Sequence, residues 1–201
     1  DIYNDPSKGI YIYHSAQYFL FSNINGSSFL WNQSYSAFTS PIKGKYKTTL
    51  GTNFSLNSTH GDLHPELFML GLGGGYSVRG WKIETRKLYV QENQSYRFGY
   101  FSAVSSIEIR QTIIPRFAVE QQSLFGPMKT EMGLQAALFF DAGVTGYNWD
   151  ELKNASPMMG AGLGIRIPVA MAGNVRFDYG WSFYEGAAVE SSFHFSVGQK
   201  F

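Results

Sequence analysis

From about residue 98 onward, apolar and polar side chains alternate along the chain with a period of two, the pattern of strands whose two faces meet different surroundings. Leu134, Ala136, Leu138 and Phe140 share one face, and Gly133, Gln135, Ala137, Phe139 and Asp141 share the other. Ile107 and Ile109 oppose Ser106, Glu108 and Arg110. Ala161, Leu163, Ile165 and Ile167 oppose Gly160, Gly162, Gly164 and Arg166. Val175, Phe177, Tyr179 and Trp181 oppose Arg176, Asp178 and Gly180, and Phe193, Phe195 and Val197 oppose His194, Ser196 and Gly198. The pattern predicts eight strands, near 9–21, 28–39, 45–57, 98–114, 131–144, 158–168, 174–183 and 191–201. A turn at Ser40-Pro41-Ile42-Lys43-Gly44 closes the second strand, and a long irregular segment fills about 62–97. The first two strands alternate poorly, so the pattern does not fix their registers.

A soluble β-sandwich also alternates. Three features favour an all-β transmembrane antiparallel barrel instead. The strands are long. One face carries almost only apolar side chains, while the other carries Glu, Arg, Asp, Gln and Gly, as a lumen would. Aromatic residues gather near strand ends, as at Tyr11, Tyr13, Phe19, Phe21, Tyr147, Trp149, Trp181, Phe183 and Tyr184, like the girdles at a membrane interface.

Composition sharpens this. Aromatics make up 17% of the 201 residues and charged residues 15%, the latter well below the roughly 25% of an ordinary soluble domain. The 22 glycines suit strands and turns rather than helices. No apolar run reaches the ~18 residues of a transmembrane helix, which leaves a strand-built span open. A net charge of +1 gives no electrostatic case for nucleic acid, and the absence of cysteine excludes disulfides and thiolate metal sites. The chain opens on Asp1-Ile2-Tyr3-Asn4-Asp5 with no signal peptide, so we expect a removed leader or an excerpt of a longer chain.

The long segment contains Gly73-Gly74-Gly75-Tyr76-Ser77-Val78-Arg79-Gly80-Trp81. Here the chain resembles the outer-membrane assembly and secretion barrels of the BamA and TamA type (bacterial surface antigens), whose long sixth extracellular loop carries Val-Arg-Gly-aromatic. Trp81 stands where Phe or Tyr is more usual. Phe139-Phe140-Asp141-Ala142-Gly143 is similar to the family's Phe-x-Asp-x-Gly, with Phe139 and Gly143 at its ends. Ser106 to Arg110, Gly160 to Arg166, Asn174 to Gly180 and Phe193 to Phe201 resemble the neighbouring strands in family order.

The resemblance implies that residues 1–201 are the carboxy-terminal half of a sixteen-stranded barrel, strands nine to sixteen, with the loop folded inward. It implies an integral protein of the cell outer membrane that inserts or exports other proteins. Its partners would be the lipid bilayer, unfolded outer-membrane clients, upstream periplasmic domains and accessory lipoproteins. The last strand, with Phe193, Phe195, Val197, Gly198 and Phe201, would be an assembly signal and one side of a lateral gate.

The residues independently place Glu108 and Asp141 on the polar face of adjacent strands by period-two counting. An arginine brought between them can make charge-assisted bidentate hydrogen bonds, so Arg79 is expected to pin the loop inside the barrel, with Gly80 allowing a tight turn. The solvated alternative makes Arg79 an ordinary surface-loop arginine and Asp141 a turn former.

No catalytic residue, metal site or cofactor is expected, and the chain reads as a non-enzyme. Gly160-x-Gly162-x-Gly164 lies in a strand with no following helix, so it reads as a bend or a close approach by another segment rather than a nucleotide loop. His14, His60, His64 and His194 lack metal-ligand spacing. Three alternatives stay open: a two-partner secretion pore, the barrel anchor of a fused patatin-like lipase, and a soluble β-sandwich. Eight strands of a larger barrel leave two open edges, which lipid does not tolerate, so further strands are expected.

Overall fold

The computed structural model describes residues 6–21, 26–62, 68–83, 94–123, 126–169, 173–198 and 200. Within these, the alternating segments form β1 (Gly9–Phe21), β2 (Gly26–Ile42), β3 (Thr48–Gly61), β4 (Leu70–Gly71), β5 (Phe98–Gly99), β6 (Phe101–Ser123), β7 (Gly126–Gly146), β8 (Met158–Val169), β9 (Gly173–Tyr184) and β10 (Ala187–Val197). Eight of them make one antiparallel sheet in the order β1-β2-β3-β6-β7-β8-β9-β10, so strands adjacent in sequence are adjacent in space. β4 and β5 form a small separate ladder inside the long connection. One short helix, α1 (Trp149–Asn154), follows β7 and is capped by the Asn148 side chain, which accepts from the amides of Asp150 and Glu151. No helix among the described residues is long and apolar enough to cross a membrane.

The polarity of the sheet is inverted relative to a soluble domain. Ile107, Ile109, Leu138, Phe140, Leu163, Ile165, Trp181, Phe193 and Phe195 lie on one face and are exposed. Ser106, Glu108, Arg110, Gln135, Asp141, Arg166, Arg176, Asp178 and His194 lie on the other and are buried. In water this arrangement forfeits the hydrophobic driving force and buries charge, so the apolar face needs an apolar solvent. A lipid-facing strand wall supplies that need, and the inner strands of the ladder pair on both sides, leaving only the outer edges of β1 and β10 open among the described residues.

Several boundaries differ from the sequence pattern, and prolines explain two of them. β2 runs on through Pro41 to Ile42 because the β2–β3 register shifts between Thr39 and Ile42, so the proline sits where no ladder donor is required. β6 likewise passes Pro115, which lies within the register shift between Ile114 and Phe117. β6 and β7 pair with each other as far as Ser123 and Gly126, whereas β3 leaves β6 at Gln111 and β8 leaves β7 at Met132. This hairpin therefore projects past the rest of the sheet at the end opposite the long connection. β10 starts earlier than the pattern implies and ends at Val197, with Gly198 at φ +101°. Phe201 lies outside the described residues.

The tight β9–β10 turn carries positive φ at both Glu185 (50°) and Gly186 (81°), the twist that suits a two-residue hairpin. Tyr11 and Tyr13 pair with Ser36 and Ser34 on the polar face and line a cavity there, and Tyr184 stacks on Tyr96 of the long connection. These three tyrosines therefore face inward and do not belong to an interfacial girdle.

If lipid is the solvent of the exposed face, Leu138→Arg or Ile165→Arg should cost about 2–4 kcal/mol of stability in bilayers. Denaturant titration of the protein folded into vesicles measures this, and a loss below about 0.5 kcal/mol would contradict the assignment.

Candidate functional site

The long connection does not extend into solvent. Residues 72–82 lie on the polar face of the sheet and bury Leu72, Val78 and Trp81 against Val104 of β6 and Met158 of β8, with Tyr96 and Tyr184 packed alongside. Glycines permit the tight course of this segment. Gly73 and Gly74 both have positive φ (131° and 88°), and the Gly74 amide donates to the Trp81 carbonyl at 2.8 Å, closing the segment on itself.

Arg79 is fully buried at its centre. Its Nε donates to Asp141 Oδ2 at 2.8 Å and its Nη2 to Asp141 Oδ1 at 3.0 Å, a bidentate fork. The Arg79 backbone amide adds a third bond to Asp141 Oδ2 at 3.0 Å, and Nη1 donates to Glu108 Oε2. Asp178 Oδ2 is 3.8 Å from Nη1. The guanidinium also lies 3.7 Å from the centre of the Phe139 ring, a cation–π contact that covers its flat face. Burial alone works against the charge of Arg79. The neighbouring carboxylates of Asp141 and Glu108, and more weakly Asp178, outweigh it and hold the guanidinium protonated above its ordinary range.

The carboxylates are themselves held from the wall. Glu108 accepts from Arg110 Nε at 2.7 Å and from Arg166 Nη2 at 2.8 Å. Asp178 pairs with Arg166 at 2.6 Å and Arg176 at 3.2 Å. Asp141 also receives Lys200 Nζ at 2.7 Å, and the same ammonium donates to Ser106 Oγ at 2.9 Å. Every charge of the cluster thus has an opposite neighbour, the condition under which buried ions are tolerated.

The wall beneath the loop is floored with glycine. A Cβ at Gly160 would overlap the Arg79 carbonyl oxygen, one at Gly180 would come 2.8 Å from the Gly80 amide nitrogen, and one at Gly143 would come 2.8 Å from Val78. Gly80 has φ +94°, and a side chain there would strike the Trp181 backbone at 2.8 Å. Its amide donates to His194 Nε2 at 3.1 Å. Trp81 Nε1 donates to the Met159 carbonyl at 2.8 Å, so the aromatic of the motif ties loop to β8 as well as filling the apolar cluster.

All four motif residues Val78, Arg79, Gly80 and Trp81 therefore meet Glu108, Asp141, Phe139 and Gly143 in one place. Phe193, Phe195 and Val197 stay apart, on the exposed face of β10. A model of the Omp85 superfamily domain matches the chain over residues 1–201. The chain belongs to the Omp85 superfamily. Omp85 proteins work in outer membranes with client proteins, in assembly or secretion. Searches of curated proteins and of solved structures returned no match.

Sequence reasoning missed a second clasp in this Omp85 chain. Arg97 is buried, contacts Trp81 at 5.0 Å, donates to Gln94 Oε1 at 2.6 Å and to the Lys82 carbonyl, and pairs with Glu190 at 3.3 Å. Glu190 also accepts from the Lys82 amide at 3.1 Å. Glu190 alternates with Ser192 and His194 onto the inner face of β10, within a register shift between Ala188 and Ser191, and so points toward the loop. Asp178, Arg166 and Arg176 were legible as polar-face residues, but nothing in the sequence linked them to Arg79. Lys200 lay within the expected last strand on the polar parity of His194, Ser196 and Gly198, but nothing in the sequence linked it to Asp141.

Arg79→Ala removes the fork to Asp141 and the bond to Glu108, leaving Asp141 only Lys200 and Glu108 only Arg110 and Arg166, a loss of roughly 3 kcal/mol. Trypsin cleavage after Lys82, measured on the folded protein, should then accelerate at least about tenfold, because Lys82 is tied down only while the loop is seated. Arg79→Lys should not restore protection, since an ammonium cannot form the fork to Asp141. Gly160→Ala should open the same site with every charge intact, and cleavage unchanged in both Arg79→Ala and Gly160→Ala would refute the seating described above.

Proposed function

We propose that this chain is the carboxy-terminal half of a sixteen-stranded outer-membrane barrel that folds and inserts other outer-membrane proteins, a BamA-like assembly factor performing no covalent chemistry. The observation that carries the reading is the inverted sheet with its loop locked by the buried Arg79 cluster. A wall whose interior is organised around a fixed loop, and whose exterior is apolar, is suited to act on lipid and on neighbouring strands rather than on a small substrate.

Two further features support it. Among the described residues, β1 and β10 each pair along one side only. Closure with eight more strands would satisfy these edges, as lipid requires. β10 pairs with β9 as far as Val197, and the Gly198 amide continues that side to the Asn174 carbonyl, which leaves the other side of β10 to meet the strand that closes the barrel. That seam would be the lateral gate, at which a client strand can pair by β-augmentation. The client would be an unfolded outer-membrane protein delivered through upstream periplasmic domains and accessory lipoproteins.

The test uses the full-length protein reconstituted in vesicles with an unfolded outer-membrane barrel as client. Insertion activity predicts that client folding, read by its shift in electrophoretic mobility, accelerates at least about tenfold over empty vesicles. The loop-opening variant Arg79→Ala should lose most of that gain. No acceleration by the folded wild type would overturn the insertion reading; passage of one dedicated partner without folding would identify a secretion pore, and hydrolase activity carried by the same polypeptide would identify an anchor.

A further inference from the structure

The pairing of β10 with β9 fixes which backbone groups of β10 reach its open edge. The Gly198 amide donates to the Asn174 carbonyl at 2.7 Å, so these two residues form a hydrogen-bonded pair of the ladder. Such pairs recur at every second residue of an antiparallel ladder, and the same register continues through Ser196↔Arg176, His194↔Asp178 and Ser192↔Gly180. These residues therefore direct their backbone groups to β9. Phe193, Phe195 and Val197 direct theirs to the open edge, while their side chains lie on the exposed apolar face.

A groove of about 440 Å³ runs along that edge. Phe193 and Phe195 line it from one face of β10, His194 and Ser196 line it from the other, and the seated loop supplies Tyr76 and Ile83. Among the described residues none of β9 lines it, which puts the groove on the unpaired side. Amides and carbonyls in a row at strand spacing are complementary to the backbone of another strand.

One of those carbonyls is already occupied. The Tyr76 hydroxyl donates to the Val197 carbonyl at 2.7 Å. Arg176 of β9 holds the tyrosine in place, with Nη2 donating to the Gly75 carbonyl at 2.8 Å and the guanidinium 5.4 Å from the centre of the Tyr76 ring. Gly75 lies close on the inner face of β10, where a Cβ would come 3.4 Å from His194 Cβ. The Tyr76 ring also borders the inner cavity lined by Tyr11 and Lys200, so it stands between that cavity and the edge groove.

We propose that Tyr76 is a strand-edge cap: its hydroxyl occupies the Val197 carbonyl while the loop is seated, so a client strand adding to β10 pairs at Phe193 and Phe195 and stops short of Val197. The cap rests on the reading of β10 as a gate. The strand that fits is extended, with apolar side chains continuing the Phe193 and Phe195 surface. Because the pinned loop carries the cap, unseating Arg79 withdraws it and opens the whole edge, which couples the loop to the gate.

The experiment puts a photo-crosslinking amino acid in place of Phe193, Phe195 or Val197, one at a time, in the full-length protein in vesicles, with and without an unfolded outer-membrane barrel as client. Client products are expected from positions 193 and 195 and few from 197. Tyr76→Phe removes the hydroxyl and keeps the ring, and it should raise the yield at 197 at least about fivefold, the effect of losing one competing hydrogen bond, with 193 and 195 unchanged. Trypsin cleavage after Lys82 should keep its native rate in Tyr76→Phe, which separates the hydroxyl from the seating of the loop. Arg79→Ala, which unseats the loop, should raise the yield at 197 as well. A yield at 197 that is the same with and without the Tyr76 hydroxyl overturns the cap, and so does an equal rise at all three positions. Products formed only within the protein's own chain, with none to the client, overturn the insertion reading. The change at 197 in Tyr76→Phe still decides the cap in that case, because the strand that closes the barrel meets the same carbonyl.

Discussion

An arginine taken out of water must find its counter-charges already arranged, and the architecture of this chain follows from meeting that demand for Arg79. Asp141 supplies two oxygens to its fork and Glu108 a third contact, while Phe139 covers the guanidinium face. Those carboxylates are fixed in turn by Arg110, Arg166 and Lys200. The cluster draws on β6, β7, β8, β9 and the chain end at once, so it sets the registers of the strands relative to one another as well as the seat of the loop. On a sheet that turns its charges inward, the ionic network organises the interior together with the small apolar cluster of Leu72, Val78, Trp81, Val104 and Met158.

The glycines are the steric counterpart of this network. Gly143, Gly160 and Gly180 remove side chains where Val78, the Arg79 carbonyl and Gly80 come down on the wall. Without that floor the loop backbone would ride higher, and the fork to Asp141 would open. Of the Gly160-x-Gly162-x-Gly164 run, Gly160 receives the Arg79 carbonyl, while Gly162 makes room for the Phe139 ring and Gly164 for the Asp178 and Arg166 side chains. On β10, Glu190 serves the same end by accepting from the Lys82 amide and pairing with Arg97.

Much of this was legible in the sequence because period-two counting assigns faces without knowledge of contacts. It placed Glu108 and Asp141 on one polar wall, and the Val78 to Trp81 motif supplied the arginine that joins them. What it could not supply was register across the sheet. Arg166 reaches both Glu108 and Asp178 only because β8 aligns Gly164 with Asp178 of β9 and Ala137 of β7, a long-range property. Arg97 lies in a turn, where no periodicity exists to orient it, and Lys200 lies past the end of β10 at Val197, where the expected alternation no longer fixes its contacts. Tyr11 and Tyr13 looked like girdle residues because β1 alternates poorly, and only pairing with β2 turned them inward. Pro41 and Pro115 read as strand ends, yet each sits at a register shift where its missing donor costs nothing.

The membership in the Omp85 superfamily and the inverted sheet converge on one physical picture, a lipid-facing wall whose inner surface is locked by a loop. A double-mutant cycle between Arg79→Met and Asp141→Asn, read as unfolding free energy in bilayers, tests that picture most directly. The account predicts strong coupling, about 1.5–3 kcal/mol, because each single change strands a buried partner that the double change removes. Additivity within about 0.5 kcal/mol would mean that the two residues do not depend on one another, and the pinned loop would have to be abandoned.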